Sequence, residues 1–192
     1  MINDDIKEYD PSLDFDAFTA GVEDGGIRSS STLAMIICYI VATLDGKVTS
    51  KVIVDALVEG QLANYFETTN AISKMIKKEN IVEDENGYLT ATPKCRFSVD
   101  IVENDLPLSI RERSIELVTK LNAFEINKKE NKVTISPAEN GFTVSLHVSD
   151  IDRDFMVLNL FVPTQAQAEI IKQKFLENPA GVYKNLIDYM FD

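Results

Sequence analysis

Residues Asn64–Thr90 read NYFETTNAISKMIKKENIVEDENGYLT. Asn64 is an N-cap residue, and Glu67 three positions on gives the spacing of a capping box. At about 100° per residue, Tyr65, Thr68, Ile72, Met75 and Ile76 fall on one side of the helix that follows. Glu67, Asn70, Lys74 and Lys77 fall opposite, flanked by Phe66, Ser73 and Lys78. Next, the pairs Ile81-Val82 and Tyr88-Leu89 bracket EDENG, where Asn86-Gly87 is a strong hairpin signal because both residues tolerate positive φ. The stretch is therefore read as an amphipathic helix followed by a β-hairpin.

Working outward, two further helices precede this pair. SSST (Ser29 to Thr32) offers N-cap candidates before LAMIICYIVATL, Leu33 to Leu44, a run of about a dozen apolar-rich residues that suits a buried helix and is too short to span a bilayer. Asp45-Gly46 stops it. Thr49 or Ser50 caps KVIVDALVE, which Gly60 ends. Three helices and a hairpin are the element order of a winged helix-turn-helix module.

Beyond the hairpin, CRFSVDIVEND (Cys95 to Asp105) reads as a connecting helix. Ser109 with Glu112 marks a second helix start, running to about Phe124. After the charged KKENK segment, strand-like runs begin at Lys132, Phe142 and Phe155, the first two joined by PAENG. In the middle run Phe142, Val144, Leu146 and Val148 alternate with Thr143, Ser145, His147 and Ser149, one buried and one polar face. FMVLNLFV, the last run, is apolar on nearly every residue, so both of its faces want cover. Pro163 ends it, Thr164 with Gln167 opens a helix to about Leu176, and a final helix follows Pro179. The expected class is α+β: an acidic arm over 1–28, a winged helix-turn-helix over 29–94, a connecting helix over 95–106, and a C-terminal α+β domain with a small antiparallel sheet over 107–192.

The 192 residues carry a formal net charge of -12, unevenly placed. Residues 1–26 hold eight acids and one base, residues 27–95 eight acids and seven bases, and residues 96–192 fifteen acids and eleven bases. The helix-and-hairpin segment is thus nearly neutral, without the positive surplus typical of a phosphate-binding domain. Exposed charges further apart than roughly 8–10 Å are screened at physiological salt, so the acidic arm does not forbid a local basic face. Two cysteines, Cys38 and Cys95, suggest neither a disulfide framework nor a metal site. With no basic-then-apolar signal pattern at the N-terminus, a cytoplasmic, reduced protein is expected.

The strings FTAGVEDGGIRS (Phe18 to Ser29), LANYFETTNAIS (Leu62 to Ser73), NDLPLSIRERSI (Asn104 to Ile115), LVTKLNAFEINKKENKV and MVLNLFVPTQAQAEIIKQKFLENPAGVY carry a resemblance over nearly the whole chain. The chain resembles an uncharacterised winged-helix "domain of unknown function" family of low-GC Gram-positive bacteria. The resemblance implies a regulator-like N-terminal half and assigns no activity or site residues. One departure stands out. Many winged-helix chains leave the wing through a T-x-K-G-R-like turn, and Thr92-Pro93-Lys94-Cys95-Arg96 has cysteine where glycine is common, which argues against a left-handed turn there and for an earlier start of the next helix.

Two uses of the third helix compete. As a DNA reader it would turn Asn70, Ser73, Lys74 and Lys77 into a major groove, Asn matching adenine and Lys guanine or phosphate. Lys47, Lys51 and Lys78 would then position double-stranded DNA through phosphate contacts. Glu83, Asp84 and Glu85 argue against a wing that grips phosphate. As a protein-binding adaptor the module would instead use Phe66, the acidic wing or the acidic arm. Catalysis finds no constellation: His147, the only histidine, lies among Thr143, Ser145 and Ser149 on a polar strand face, and DIDRD (Asp150 to Asp154) lacks the central glycine and closing glutamate of a calcium loop. No enzyme, cofactor, metal or membrane association is expected. The doubly apolar FMVLNLFV strand and the apolar residues Val182, Leu186, Ile187, Tyr189 and Phe191 point to a homodimer through the C-terminal domain. The reading is a regulator that binds double-stranded DNA, with the adaptor as its alternative; no effector is legible.

Overall fold

A computed structural model describes residues 18–102, 105–150 and 153–191. Residues 1–17 of the expected 1–28 arm, with most of the DFDAF patch, lie outside them, as do Ile151 and Asp152 of DIDRD. The fold is α+β and divides into two compact units between Val118 and Thr119. Among the described residues no helix is long and apolar enough to cross a membrane.

The first unit is organised around α1 (Ser30–Leu44). Ser29 caps it, its hydroxyl accepting from the Thr32 N–H at 3.1 Å. A helix this apolar must bury most of its surface. Leu33, Ile36, Ile37, Ile40 and Val41 are each at most 1% exposed. They are covered by α3 (Tyr65–Lys77), α4 (Pro93–Val102) and β2 (Leu89–Ala91), the second strand of the hairpin with β1 (Ile81–Glu83), while α2 (Ser50–Glu59) packs on α3. The loop between α1 and α2 joins the hairpin edge: Gly46 N–H donates to Leu89 O, and Leu89 N–H to Val48 O, both at 2.9 Å.

Several local expectations are corrected. Gly60 follows α2 but has φ -76°, and Gln61 is the residue that turns left-handed, at φ 53°. A Cβ on Gly60 would lie 2.3 Å from Leu117 Cδ1, so close approach is what requires glycine there. Of Asn86-Gly87 only Gly87 has positive φ, 82°. The Asp84 carboxylate shapes this turn, accepting from Asn86 N–H and Tyr88 N–H at 2.8 Å each. Helix α4 begins at Pro93, a favoured first helical residue, with Thr92 O accepting from Arg96 N–H, so Cys95 is helical.

Near the N-terminal side, Ile27 is buried and its N–H donates to Leu62 O at 2.8 Å. Glu23 N–H donates to Gln61 O, and the Glu23 carboxylate pairs with Arg113. The acidic stretch is therefore docked along the loop before α3.

Helix α5 (Leu108–Glu130) starts one residue before Ser109, which lies within its first turn rather than capping it. It also runs past Phe124 through charged residues. Lys128 and Lys129 complement its C-terminal dipole. Asn127 holds that end in the second unit, donating to Leu176 O at 2.9 Å.

In the second unit β3 (Val133–Ala138), β4 (Gly141–Asp150) and β5 (Arg153–Val162) form an antiparallel meander in that order. Ala138 pairs with Gly141, so Pro137 and Ala138 belong to the strand and the turn is Glu139-Asn140, with Asn140 at φ 64°. The alternation of β4 holds: Val144, Leu146 and Val148 are buried with Val162, Ala168, Phe175 and Leu176, and Phe142 packs against them partly buried. Helices α6 (Gln165–Glu177) and α7 (Pro179–Phe191) cover this face of the sheet. Thr164 caps α6, accepting from Gln167 N–H at 3.3 Å.

Candidate nucleic-acid interface

The outward face of α3 is set by its cap and by three buried residues. The Asn64 side chain accepts from Phe66 N–H at 2.8 Å and donates to Ala20 O at 3.0 Å, fixing where the helix begins. Thr68, Ile72 and Met75 are buried. Thr68 is satisfied there by donating to Asn64 O at 2.7 Å. This buried stripe leaves Asn70, Ser73, Lys74, Lys77 and Lys78 exposed. Tyr65, expected on the inner side, is 53% exposed. It is the first helical residue, ahead of the body on which Thr68 packs, and it meets the Phe66 ring edge-on at 5.5 Å.

The helix presents two flanks. On one, Glu67, Asn70, Lys74 and Lys78 line a cleft of about 260 Å³ with Ser30 and Ser31 at the start of α1. Phe66 and Ser73 lie on the other, and Ser73 Oγ is turned back to Thr69 O at 2.9 Å. Lys47 and Lys51 are exposed beside α2, where Lys51 pairs with Asp55 at 2.6 Å. That ion pair lowers the charge Lys51 can offer to another group. Lys94, which the sequence reading overlooked, donates to Lys78 O at 3.3 Å, extending the cations at the C-terminal end of α3. It sits in the following helix, where no periodicity argument connects it with α3.

The acids of the hairpin have local uses. Asp84 shapes the turn as described, and Glu83 accepts from Ser50 Oγ at 2.9 Å, at the start of α2 where a helix dipole favours a negative charge. Only Glu85 in this trio lacks such a described contact. The three acids are thus part of how the hairpin is built.

Beneath this surface Cys38 of α1 and Cys95 of α4 are both buried, and the Cys95 thiol donates to the Cys38 backbone carbonyl at 4.0 Å. The neighbouring Cys95 side chain, with burial, pushes the Cys38 thiol up, while Cys95 is lowered chiefly by its nearness to the Cys38 side chain. Spacing in sequence carried no sign of this juxtaposition.

The second unit holds a cleft of about 320 Å³ lined by Asn127, Asn131, Ser149, Phe155, Pro179 and Tyr183, among others. Its asparagines are already engaged: Asn131 donates to Asn127 O and accepts from Ser149 N–H, and Asn127 donates to Leu176 O. On the opposite face of the sheet, His147 Nδ1 lies 2.7 Å from Asp154 Oδ2, and Ser149 Oγ donates to Asp154 Oδ1 at 2.6 Å. The serine hydroxyl first, and the histidine next, hold the Asp154 carboxyl below the usual carboxylate range. Here serine and histidine both bind the carboxylate, so the serine is not aligned as a nucleophile by the imidazole.

Fold and surface together define an α+β protein that displays a capped helix with lysines and asparagine outward. The chain belongs to the family described as Domain of unknown function (DUF4364), whose model matches residues 34–190. No curated protein matches it, and no solved structure does.

Proposed function

We propose that the first unit is a winged-helix DNA-binding module and that the protein is a non-enzymatic transcription regulator. In this reading α3 is the recognition helix and the β1–β2 hairpin is the wing. The observation that carries it is the outward face of α3: Asn70, Ser73, Lys74, Lys77 and Lys78 are exposed on a helix whose opposite stripe is buried. Asparagine and lysine are the side chains that read adenine and guanine edges in the major groove. The engagement of Glu83 and Asp84 within the module keeps their charge close to Ser50 and to the turn amides. Since few cations are available, non-specific binding is weak and its salt slope shallow.

The test is in vitro selection of duplex DNA by the purified chain. A specific site should emerge, and Lys74→Ala with Lys77→Ala should weaken binding to it while reducing the salt slope by about two. No enriched site, or unchanged affinity in the double variant, would overturn this assignment.

One observation favours a second reading, a winged-helix adaptor for protein. Phe66 is 76% exposed at the leading end of α3. Large exposed aromatics are typical anchors of protein interfaces. Under this reading Phe66→Ser abolishes partner binding and the lysine pair is dispensable.

A further inference from the structure

The two edges of the β3–β4–β5 sheet are built differently. His147 N–H donates to Lys132 O at 2.9 Å, which sets the parity of the ladder. In an antiparallel sheet, alternate residues bond to opposite neighbours. The registers Val133↔Leu146 and Val144↔Leu160 then leave Val133, Ile135 and Pro137 facing the free edge of β3. The same parity leaves Val157, Asn159 and Phe161 facing the free edge of β5. Pro137 has no N–H, so the β3 edge is blunted in the usual way. From Phe155 to Val162 the β5 edge carries no proline and no charged side chain.

Among the described residues, apolar side chains beside that open edge are left uncovered. Val157 and Phe161 are 51% and 59% exposed on the outer face, and Met156, Leu158 and Leu160 are only partly covered on the inner one. A long, uncharged, apolar free edge is a template for another strand.

We propose that β5 pairs with β5 of a second copy of this chain, antiparallel about a two-fold axis at Asn159, joining two three-stranded sheets into one. Three neighbouring symmetric registers about the middle of the strand use the free-edge groups. Centring on Leu158 sets Val157 against Asn159 twice, and centring on Leu160 sets Asn159 against Phe161 and Val157 against Pro163. Centring on Asn159 matches like with like on both faces. Val157 meets the partner's Phe161 and Asn159 meets the partner's Asn159 on the outer face, while Leu158 meets the partner's Leu160 and Met156 the partner's Val162 on the inner. The register makes about six main-chain hydrogen bonds. The two asparagine amides lie opposite each other, each offering a donor and an acceptor. The pairing is independent of whether α3 meets DNA.

The experiment measures mass and register together on the full chain. Light scattering should give twice 21.5 kDa at micromolar concentration. Asn159→Asp, which sets two carboxylates face to face, should raise the dimer dissociation constant at least about tenfold, with an unchanged circular dichroism spectrum. Asn159→Cys should form an intermolecular disulfide on mild oxidation. Val157→Cys should not, because in this register the two copies of position 157 lie about four residues apart along the strands, roughly 13 Å, beyond disulfide reach. The native thiols at Cys38 and Cys95 are buried and serve as internal controls. A monomer, a dimer indifferent to Asn159→Asp, or cross-linking at position 157 rather than 159 would overturn the proposal.

Discussion

The two units solve the same problem to different degrees. In the first, the apolar face of α1 is fully enclosed, and its isoleucines have essentially no exposed surface. In the second, one face of a three-stranded sheet is packed under α6 and α7, while β5 and the end of α7 leave Val157, Phe161, Tyr189 and Phe191 in contact with solvent. Both units are written in equally apolar sequence. What differs is geometry: a helix packed by helices and a hairpin can bury its whole apolar face, whereas a short open sheet always has edges.

The largest expected effect comes from breaking the enclosed side. Ile37→Ala should cost about 2–5 kcal/mol, whereas Val157→Ala in the isolated chain should stay within about 0.5 kcal/mol. Chemical denaturation under conditions where the chain is monomeric reads both, and comparable losses would contradict the contrast.

A finer comparison is between the two Asn-Gly turns, one in each unit. In Asn86-Gly87 the glycine is left-handed, and in Asn140-Gly141 the asparagine is. Gly141 serves close packing instead, since a Cβ there would lie 2.4 Å from Val162 O and under 3 Å from the Phe161 ring. Asn140→Ala should therefore cost about 1–2 kcal/mol, and Asn86→Ala close to nothing. Denaturation midpoints of the two variants should differ accordingly; equal losses would mean that the turns are alike.

The smallest effect concerns acid. The Asp154 carboxyl is held below its ordinary value, by Ser149 first and His147 second. Its contribution to stability is therefore complete above the unfolded-chain value of about 4 and fades as pH falls through the lower folded value. Asp154→Asn should flatten the decline in stability of the second unit below about pH 4 and change its packing little. Because the group is solvent-exposed, salt screening should weaken the dependence.

Much of the architecture was legible in the chain. The caps at Thr49, Asn64 and Thr164, the inner stripe Thr68, Ile72 and Met75, and the alternation along β4 are all visible in sequence, because each depends on neighbours within one or two turns or a single strand. The exposed set Asn70, Ser73, Lys74, Lys77 and Lys78 follows from the same periodicity. The misreadings have another cause. Ser109 has the spacing of a cap, but Leu108 already begins the helix after Pro107. Tyr65 shares the angular sector of Thr68 but lies beyond the packed body. The length of α5 depends on Asn127 reaching Leu176, a partner 49 residues away.

Sequence by itself determined the order of the elements, their caps and the apolar face of most of them, since these rest on local hydrogen bonds and periodicity. Tertiary structure alone decided the Cys38–Cys95 contact, the use of Glu83 and Asp84 within the hairpin module, and the choice of left-handed residue in each turn. It also decided that one sheet edge is blunted while the other pairs with no strand among the described residues. Each of these depends on which distant groups the fold brings within a few ångströms, and local spacing carries no record of that.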